Sequence, residues 1–492
     1  MKRIVVLGGG VSGHTAASYL NKLLGKKHKV TVVTPNKDWN WIPSNIWVGV
    51  GQMDKSEVLF DLATVYNKVG IEYVQAKAVS IHPEGGEGHD SPFVKAQGTG
   101  DSNFDEMLDL EYDYVINATG PKLNFGATPG LGVGSQLGEH TVSVCTASHA
   151  EDAANRLQTL IDEMRQYPEG KKATVLIGTG HGTCTCQGAA FEYIFNVDHK
   201  LRKAGVREKA DIVWISNEQF LGDFGMGAMH MQQGGYTMHS KSFAESIFAE
   251  RGIRWIVGAH VKQVEAGKVE YELLDGTFHE QNFDFAMLIP PFAGQDMKAF
   301  NAAGEDITAT IFAPSGFMKV DADYTPKPYA EWSANDWPKK LQNPTYGNMF
   351  AVGIAFAPPH QISQPRKSPN DTLITPAPPR TGMPSATMAR AVAENIVDMI
   401  NGVSDVPTRS ASMAQMGAAC IASTGKDMFT GTAAAMTVYP VVPDYARFPE
   451  TGRDQSLTSG EIGLGAHWIK HVLHHLFIYK AKLKPFWSVI PE

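Results

Sequence analysis

The chain opens with an apolar run, Ile4-Val5-Val6-Leu7, that passes at once into Gly8-Gly9-Gly10-Val11-Ser12-Gly13. A short continuous apolar run of this kind describes a parallel strand buried on both faces. Thr15-Ala16-Ala17-Ser18-Tyr19-Leu20 then starts a helix, and Lys29-Val30-Thr31-Val32-Val33 supplies a second strand. This βαβ context gives the G-x-G-x-x-G spacing its meaning. Glycines let the backbone approach a pyrophosphate, and the helix N-terminus stabilises its charge. Gly8, Gly10 and Gly13 are therefore the candidate dinucleotide-binding residues. An acidic residue normally closes the second strand and holds the adenosine ribose. Here the strand ends Thr34-Pro35-Asn36, which leaves Thr34 or Asn36 to make a neutral hydrogen bond instead.

A second unit of the same kind begins at Ala173-Thr174-Val175-Leu176-Ile177 and runs into Gly178-Thr179-Gly180-His181-Gly182. Thr183 stands where a third glycine belongs, and the loop continues into Cys184-Thr185-Cys186. Cysteine there points to sulfur chemistry where a nicotinamide would otherwise dock. Tyr114-Val115-Ile116-Asn117-Ala118-Thr119-Gly120, Phe283–Ile289 and Asn348–Gly353 read as further buried strands with their turns. A chain of 492 residues is too long for one core. The expected division is a discontinuous first nucleotide domain (1–121 and 281–405), a second Rossmann-like domain (122–280) and a C-terminal region (406–492). Residues 83–105 read as a polar surface insertion. The irregular 321–345 and Pro-rich 358–384 read as loops that reach over a site or an interface. The aromatic stretch Trp39–Trp47 either packs on a flat cofactor or fills a domain seam, with Pro43 and Ser44 on the cofactor side.

The net charge of -8 argues against a nucleic-acid partner. Four cysteines with no C-x-x-C pair make neither a disulfide scaffold nor a zinc site, so no metal is expected. A buried strand starting at Ile4 leaves no room for a cleavable signal peptide, and no apolar run reaches the length of a membrane span. From His467 to Leu483, residues Trp468, Ile469, Val472, Leu473, Leu476, Tyr479 and Leu483 fall on one helical face, with His467, Lys470, His471, His474, His475 and Lys482 largely opposite. Such a helix, expected near 466–484 and with its histidines on a solvated face, suits a membrane interface. Docking on the chain's own core or on a sister subunit is the alternative.

These stretches together resemble the sulfide:quinone oxidoreductases, a branch of the flavoproteins that also holds the type II NADH dehydrogenases. The resemblance is carried by Ala118–Leu123, Val144-Cys145-Thr146-Ala147-Ser148-His149-Ala150, Cys186–Glu192, Leu288–Gly294, Pro379–Pro384 and Gly417-Ala418-Ala419-Cys420. Gly353-Ile354, in place of the Gly-Asp of the wider group, fits the same branch. The resemblance implies an α/β fold with two Rossmann-like nucleotide-binding domains of the flavin disulfide-reductase type plus a C-terminal amphipathic membrane-binding region. It implies FAD, contacted by Gly8, Gly10, Gly13, Thr34, Asn36, Pro43, Thr119, Gly120, Gly353 and Ile354. It implies catalysis by Cys186, Cys420, Cys145 and His149: sulfide reduces a Cys186/Cys420 disulfide or polysulfide bridge, and two electrons pass through FAD to a membrane quinone. Cys145 either links to the flavin or aids product release. Asp223 occupies the place of a second family histidine, and Cys184 has no assigned role. A homo-oligomer peripherally bound to a membrane surface is expected, since single interfacial anchors bind weakly. The rivals are a type II NAD(P)H:quinone oxidoreductase, the flavoprotein subunit of a sulfide-oxidising flavocytochrome, and a flavin-binding module with inert cysteines.

Overall fold

The computed structural model describes residues 1–86, 88–132, 140–185, 187–425, 427, 429 and 431–492. Strand β1 (Arg3–Leu7) leads through the glycine turn into helix α1 (Val11–Leu24) and returns as β2 (Lys29–Thr34). β1 and β2 pair in parallel, and β3 (Glu72–His82) extends the sheet beyond β2. β4 (Phe93–Gly98) and β5 (Met107–Glu111) continue it as an antiparallel meander. On the other flank of β1 lies β6 (Tyr114–Asn117), followed in space by Met349–Ala351. The stretch read as a surface insertion thus contains a sheet strand, in which Phe93, Val94 and Ala96 are fully buried. Its alternation is short and set among glycines and charges, which hides it in the sequence.

Helix α2 (Ala147–Arg165) connects to the second sheet, whose central strand is β7 (Ala173–Thr179). Helix α3 (Gln187–Lys203) follows the cysteine loop. β8 (Ala210–Ile215), β9 (Arg254–Ile256) and β10 (Phe285–Ile289) complete a parallel sheet in the order β9-β8-β7-β10. A three-stranded antiparallel sheet over 259–282 lies between them in sequence. The chain then returns to the first sheet as β11 (Met349–Ala351), and helix α4 (Gly382–Ile400) packs along α1.

A third sheet holds β12 (Ala418–Thr424), β13 (Thr432–Val438) and β14 (Ser459–Gly463), joined to the hairpin 230–239 through Gln232 and Ser459. It therefore links the C-terminal region to residues of the second nucleotide unit. The last helix, α5 (Leu464–Ala481), packs on β12 and β13. Its orientation corrects the expected solvated histidine face: His467, Lys470, His471, His474 and Lys480 are buried. Trp468, Ile469 and Val472 are instead 43%, 50% and 58% exposed. The polar residues turn inward because the core offers them polar partners, as described below. No helix among the described residues is long and apolar enough to cross a membrane.

Candidate functional site

The carboxyl ends of β1, β6 and β11 meet at the glycine turn. Gly8 has φ +103, and a Cβ there would strike the Ala118 carbonyl. A Cβ on Gly13 would strike the Gly8 carbonyl, so helix and strand approach to contact distance. Gly10 and Gly120, by contrast, face open space. Gly353 has φ +65 and lies directly on the Ser12 hydroxyl at the first turn of α1. Asn117 accepts hydrogen bonds from the Thr119 amide and hydroxyl (3.2 and 2.8 Å), which fixes the second turn. A lined but open groove over a helix N-terminus is what a dinucleotide needs, and it fits FAD. At the adenosine end, Thr34 is buried beside Gly9, and Asn36 is exposed. Ile354 is half-buried.

The aromatic segment packs against α1, with the Trp39 ring 6.0 Å from that of His14. Trp39, Trp41 and Phe60 stack in a column that Phe477 of α5 extends (Trp41–Phe477, 5.1 Å). Asn45 donates to the Val144 carbonyl (3.2 Å), and Asn40 accepts from the Ala147 amide (3.2 Å), so the segment grips the residues around Cys145. Cys145 precedes α2, whose N-cap is Thr146, so it shares no helical face with His149. The two are joined through Ser143 instead, whose hydroxyl lies 3.3 Å from the Cys145 amide and 3.0 Å from His149 Nδ1. Burial holds the His149 pKa below its ordinary value, so the imidazole is neutral at neutral pH.

The second glycine loop is occupied by its own protein. The Gly182 amide donates to His260 Nδ1 (2.9 Å), the Thr183 amide to His181 Nδ1 (3.2 Å) and the Cys184 amide to the His181 carbonyl (3.3 Å). These are the groups a phosphate would take. The Pro-rich segment lies over the loop: Thr375 and Ala377 amides donate to the Gly182 and Cys184 carbonyls (2.8 and 3.0 Å), and Thr185 Oγ1 donates to the Pro378 carbonyl (2.8 Å). Cys184 is fully buried, with its thiol donating to the Ile289 carbonyl (3.1 Å). Asp223 is buried behind this layer, with its carboxyl on the Ser363 hydroxyl and the Gly225 amide; burial pushes its pKa up.

Cys186 lies outside the described residues; α3 begins at the next one. Cys420, half-buried on β12, points at that first turn: its sulfur would lie 3.0 Å from a Cβ on Gly188. Two further residues have no mark in the sequence. Lys470 of α5 reaches inward to the Pro43 carbonyl (3.0 Å) and to Glu192 of α3 (2.9 Å). The other Glu192 oxygen accepts from the Ser423 amide and hydroxyl (3.1 and 2.7 Å). Pro43 is thus held from the C-terminal side by an ion pair whose partners are 278 residues apart, a relation no local pattern encodes.

Residues 2–206 match the pyridine nucleotide-disulphide oxidoreductase family. Over 481 residues the chain is 32% identical to the sulfide-quinone reductase of Aquifex aeolicus, covering 98% of this chain and 91% of that one. The crystal structure of the Aquifex aeolicus sulfide:quinone oxidoreductase superposes with a TM-score of 0.75 at 30% identity, over 98% of this chain and 92% of its own. The mitochondrial sulfide:quinone oxidoreductase of Dictyostelium discoideum is 25% identical over 71% of this chain and 64% of its own.

Proposed function

The chain belongs to the sulfide:quinone oxidoreductase family, and we propose that it oxidises sulfide to polysulfide or elemental sulfur at a Cys186/Cys420 centre, with a membrane quinone as the final acceptor. The observation that carries the cysteine centre is the Cys420 sulfur lying against the first turn of α3, two residues beyond Cys186. Gly8, Gly10, Gly13, Thr119, Gly120 and Gly353 would hold FAD, which when bound would supply the two-electron transfer between sulfur and quinone.

The sulfur step follows thiol–disulfide exchange. Hydrosulfide attacks one sulfur of the bridge; the S–S bond breaks, one cysteine becomes a persulfide, and the other leaves as a thiolate. Cys420 is that thiolate. Cys145 assists release of the growing sulfur chain. His149, neutral and tied to the same Ser143, accepts the proton that hydrosulfide or a persulfide gives up. Cys184 stays outside this chemistry, because its thiol is spent on a main-chain carbonyl.

The membrane reading rests on the outward Trp468, Ile469 and Val472 of α5 together with exposed Phe429, Phe486 and Val489. Several copies of this face on one homo-oligomer would strengthen attachment to the surface. The NAD(P)H-dependent alternative is disfavoured by the three loop amides already bonded within the protein. Mass spectrometry of the unreduced chain after a sulfide pulse tests the centre. A peptide pair joining Cys186 to Cys420 with one or more added sulfurs is expected; two unmodified thiols at these positions would remove the proposal.

A further inference from the structure

The inward face of α5 carries a file of titratable groups that the sulfur chemistry does not use. His467 is fully buried, and its Nε2 lies 3.1 Å from the Asp427 carbonyl and 3.1 Å from His471 Nε2. A carbonyl can only accept, so His467 Nε2 carries the hydrogen and His471 Nε2 faces it as the other acceptor. The remaining His467 nitrogen, Nδ1, is buried and has no hydrogen-bond partner among the described residues, and burial holds the ring below its ordinary pKa. One turn on, His471 packs against the buried Trp47 ring (4.9 Å). His474 follows, with Nδ1 2.8 Å from the Ser44 hydroxyl and its ring 4.9 Å from exposed His475.

Among the described residues, the charged groups that face this file are the Lys470–Glu192 pair from α5 and α3, and Asp427 from the hairpin tip, itself paired with Lys203 (2.7 Å). Further along the same face, His14 lies beneath Ala481, and Lys480 pairs with Glu492 (2.6 Å). Placing imidazoles inside and Trp468, Ile469 and Val472 outside reverses the usual arrangement of a surface helix. Desolvating these rings costs free energy that leucines would not. The inner end of the file is also specific: Ser44 lies between Pro43, which Lys470 holds, and Asn45, which binds the residue before Cys145.

We propose that His475, His474 and Ser44 form a proton path that feeds the quinone when the enzyme is reoxidised. This rests on the sulfide-to-quinone reading above. Hydrosulfide passing to zero-valent sulfur releases two electrons and one proton. A quinone passing to quinol takes up two electrons and two protons. Each turnover therefore draws one proton from solvent. His474 accepts it at one ring nitrogen from the water-exposed His475 side and releases it from Nδ1 to Ser44. The serine hydroxyl hands its own hydrogen on toward the quinone, the acceptor of the two electrons, and takes the new one from His474 Nδ1.

The test uses the full FAD-loaded chain, its His474→Gln and Ser44→Ala variants, and a short-chain quinone. The protein is reduced with dithionite, so that the sulfide step is bypassed, and quinone reoxidation is followed from about pH 6 to pH 8. Both variants should reoxidise roughly 10- to 100-fold more slowly at the alkaline end, with a raised solvent deuterium effect, and added imidazole should rescue the histidine variant. A readout independent of turnover is 15N-histidine NMR, which should show His467 neutral with its hydrogen on Nε2, and His474 shifting when Ser44 is removed. Two folded variants with wild-type reoxidation rates and pH dependence would overturn the path. A wild type that quinone reoxidises but sulfide cannot reduce would remove the sulfide reading and leave the path standing.

Discussion

Replacing Ile469 and Val472 together by serine should detach the protein from lipid without loosening its fold. Both side chains lie on the outward face of α5, 50% and 58% exposed. Burying such a side chain completely is worth about 1.5–3 kcal/mol. With half of each already covered by the protein, the free half contributes about 1 kcal/mol on entering an apolar phase. The double variant then forfeits about 2 kcal/mol, roughly a 30-fold fall in partitioning. The assay is co-sedimentation with lipid vesicles at two ionic strengths, alongside thermal unfolding. The inner contacts of α5 run through His474, Lys470 and His467, so stability should stay within about 0.5 kcal/mol of wild type. Unchanged vesicle binding would refute the outward membrane face. Loss of assembly with unchanged lipid binding would place a sister subunit on that face instead.

Other perturbations probe the interior. Lys470→Met strands the Glu192 carboxylate in a buried site and should cost about 3–5 kcal/mol in urea unfolding; adding Glu192→Gln should restore most of it, and a single variant of wild-type stability would contradict the pairing. Gly13→Val places a side chain on the Gly8 carbonyl, so the purified protein should lack the yellow of bound flavin; full flavin content would contradict the cradle. Glu218 is fully buried, and burial pushes its pKa up to about 7 from 4.5. Its neutral form is the one the fold prefers, so stability is greatest below the unfolded pKa and falls by about 3 kcal/mol as pH rises through about 7. Glu218→Gln should flatten that slope in urea midpoints compared at pH 5 and pH 8 (about two units either side of neutral at most); an unchanged slope would assign it to other groups.

Much of the frame was legible because its signals are local. β1, its glycine turn and β2 are written as one continuous pattern, and the cysteines after β7 stand beside a turn of known geometry. What stayed hidden depends on distant partners. Helical periodicity gave α5 two faces but not which one turns inward, because that is decided by Ser44, Glu192 and the Asp427 carbonyl. A four-residue spacing such as that of Cys145 and His149 puts two side chains on one face only inside a helix, and Thr146 caps the helix after the cysteine. The third glycine missing at Thr183 hinted that the second loop binds no dinucleotide. The groups that take up that loop's amides and carbonyls, His260 and segment 375–378, are far off in sequence.

The role of Cys420 in passing electrons from sulfide toward quinone is tested most directly by anaerobic addition of sulfide while the flavin absorbance is recorded, in wild type and in Cys420→Ser. Rapid bleaching of the wild type, reversed by a quinone analogue and absent in the variant, is the expected result. Wild-type flavin that sulfide leaves oxidised but NADH bleaches would contradict it and make the chain a nicotinamide-dependent enzyme.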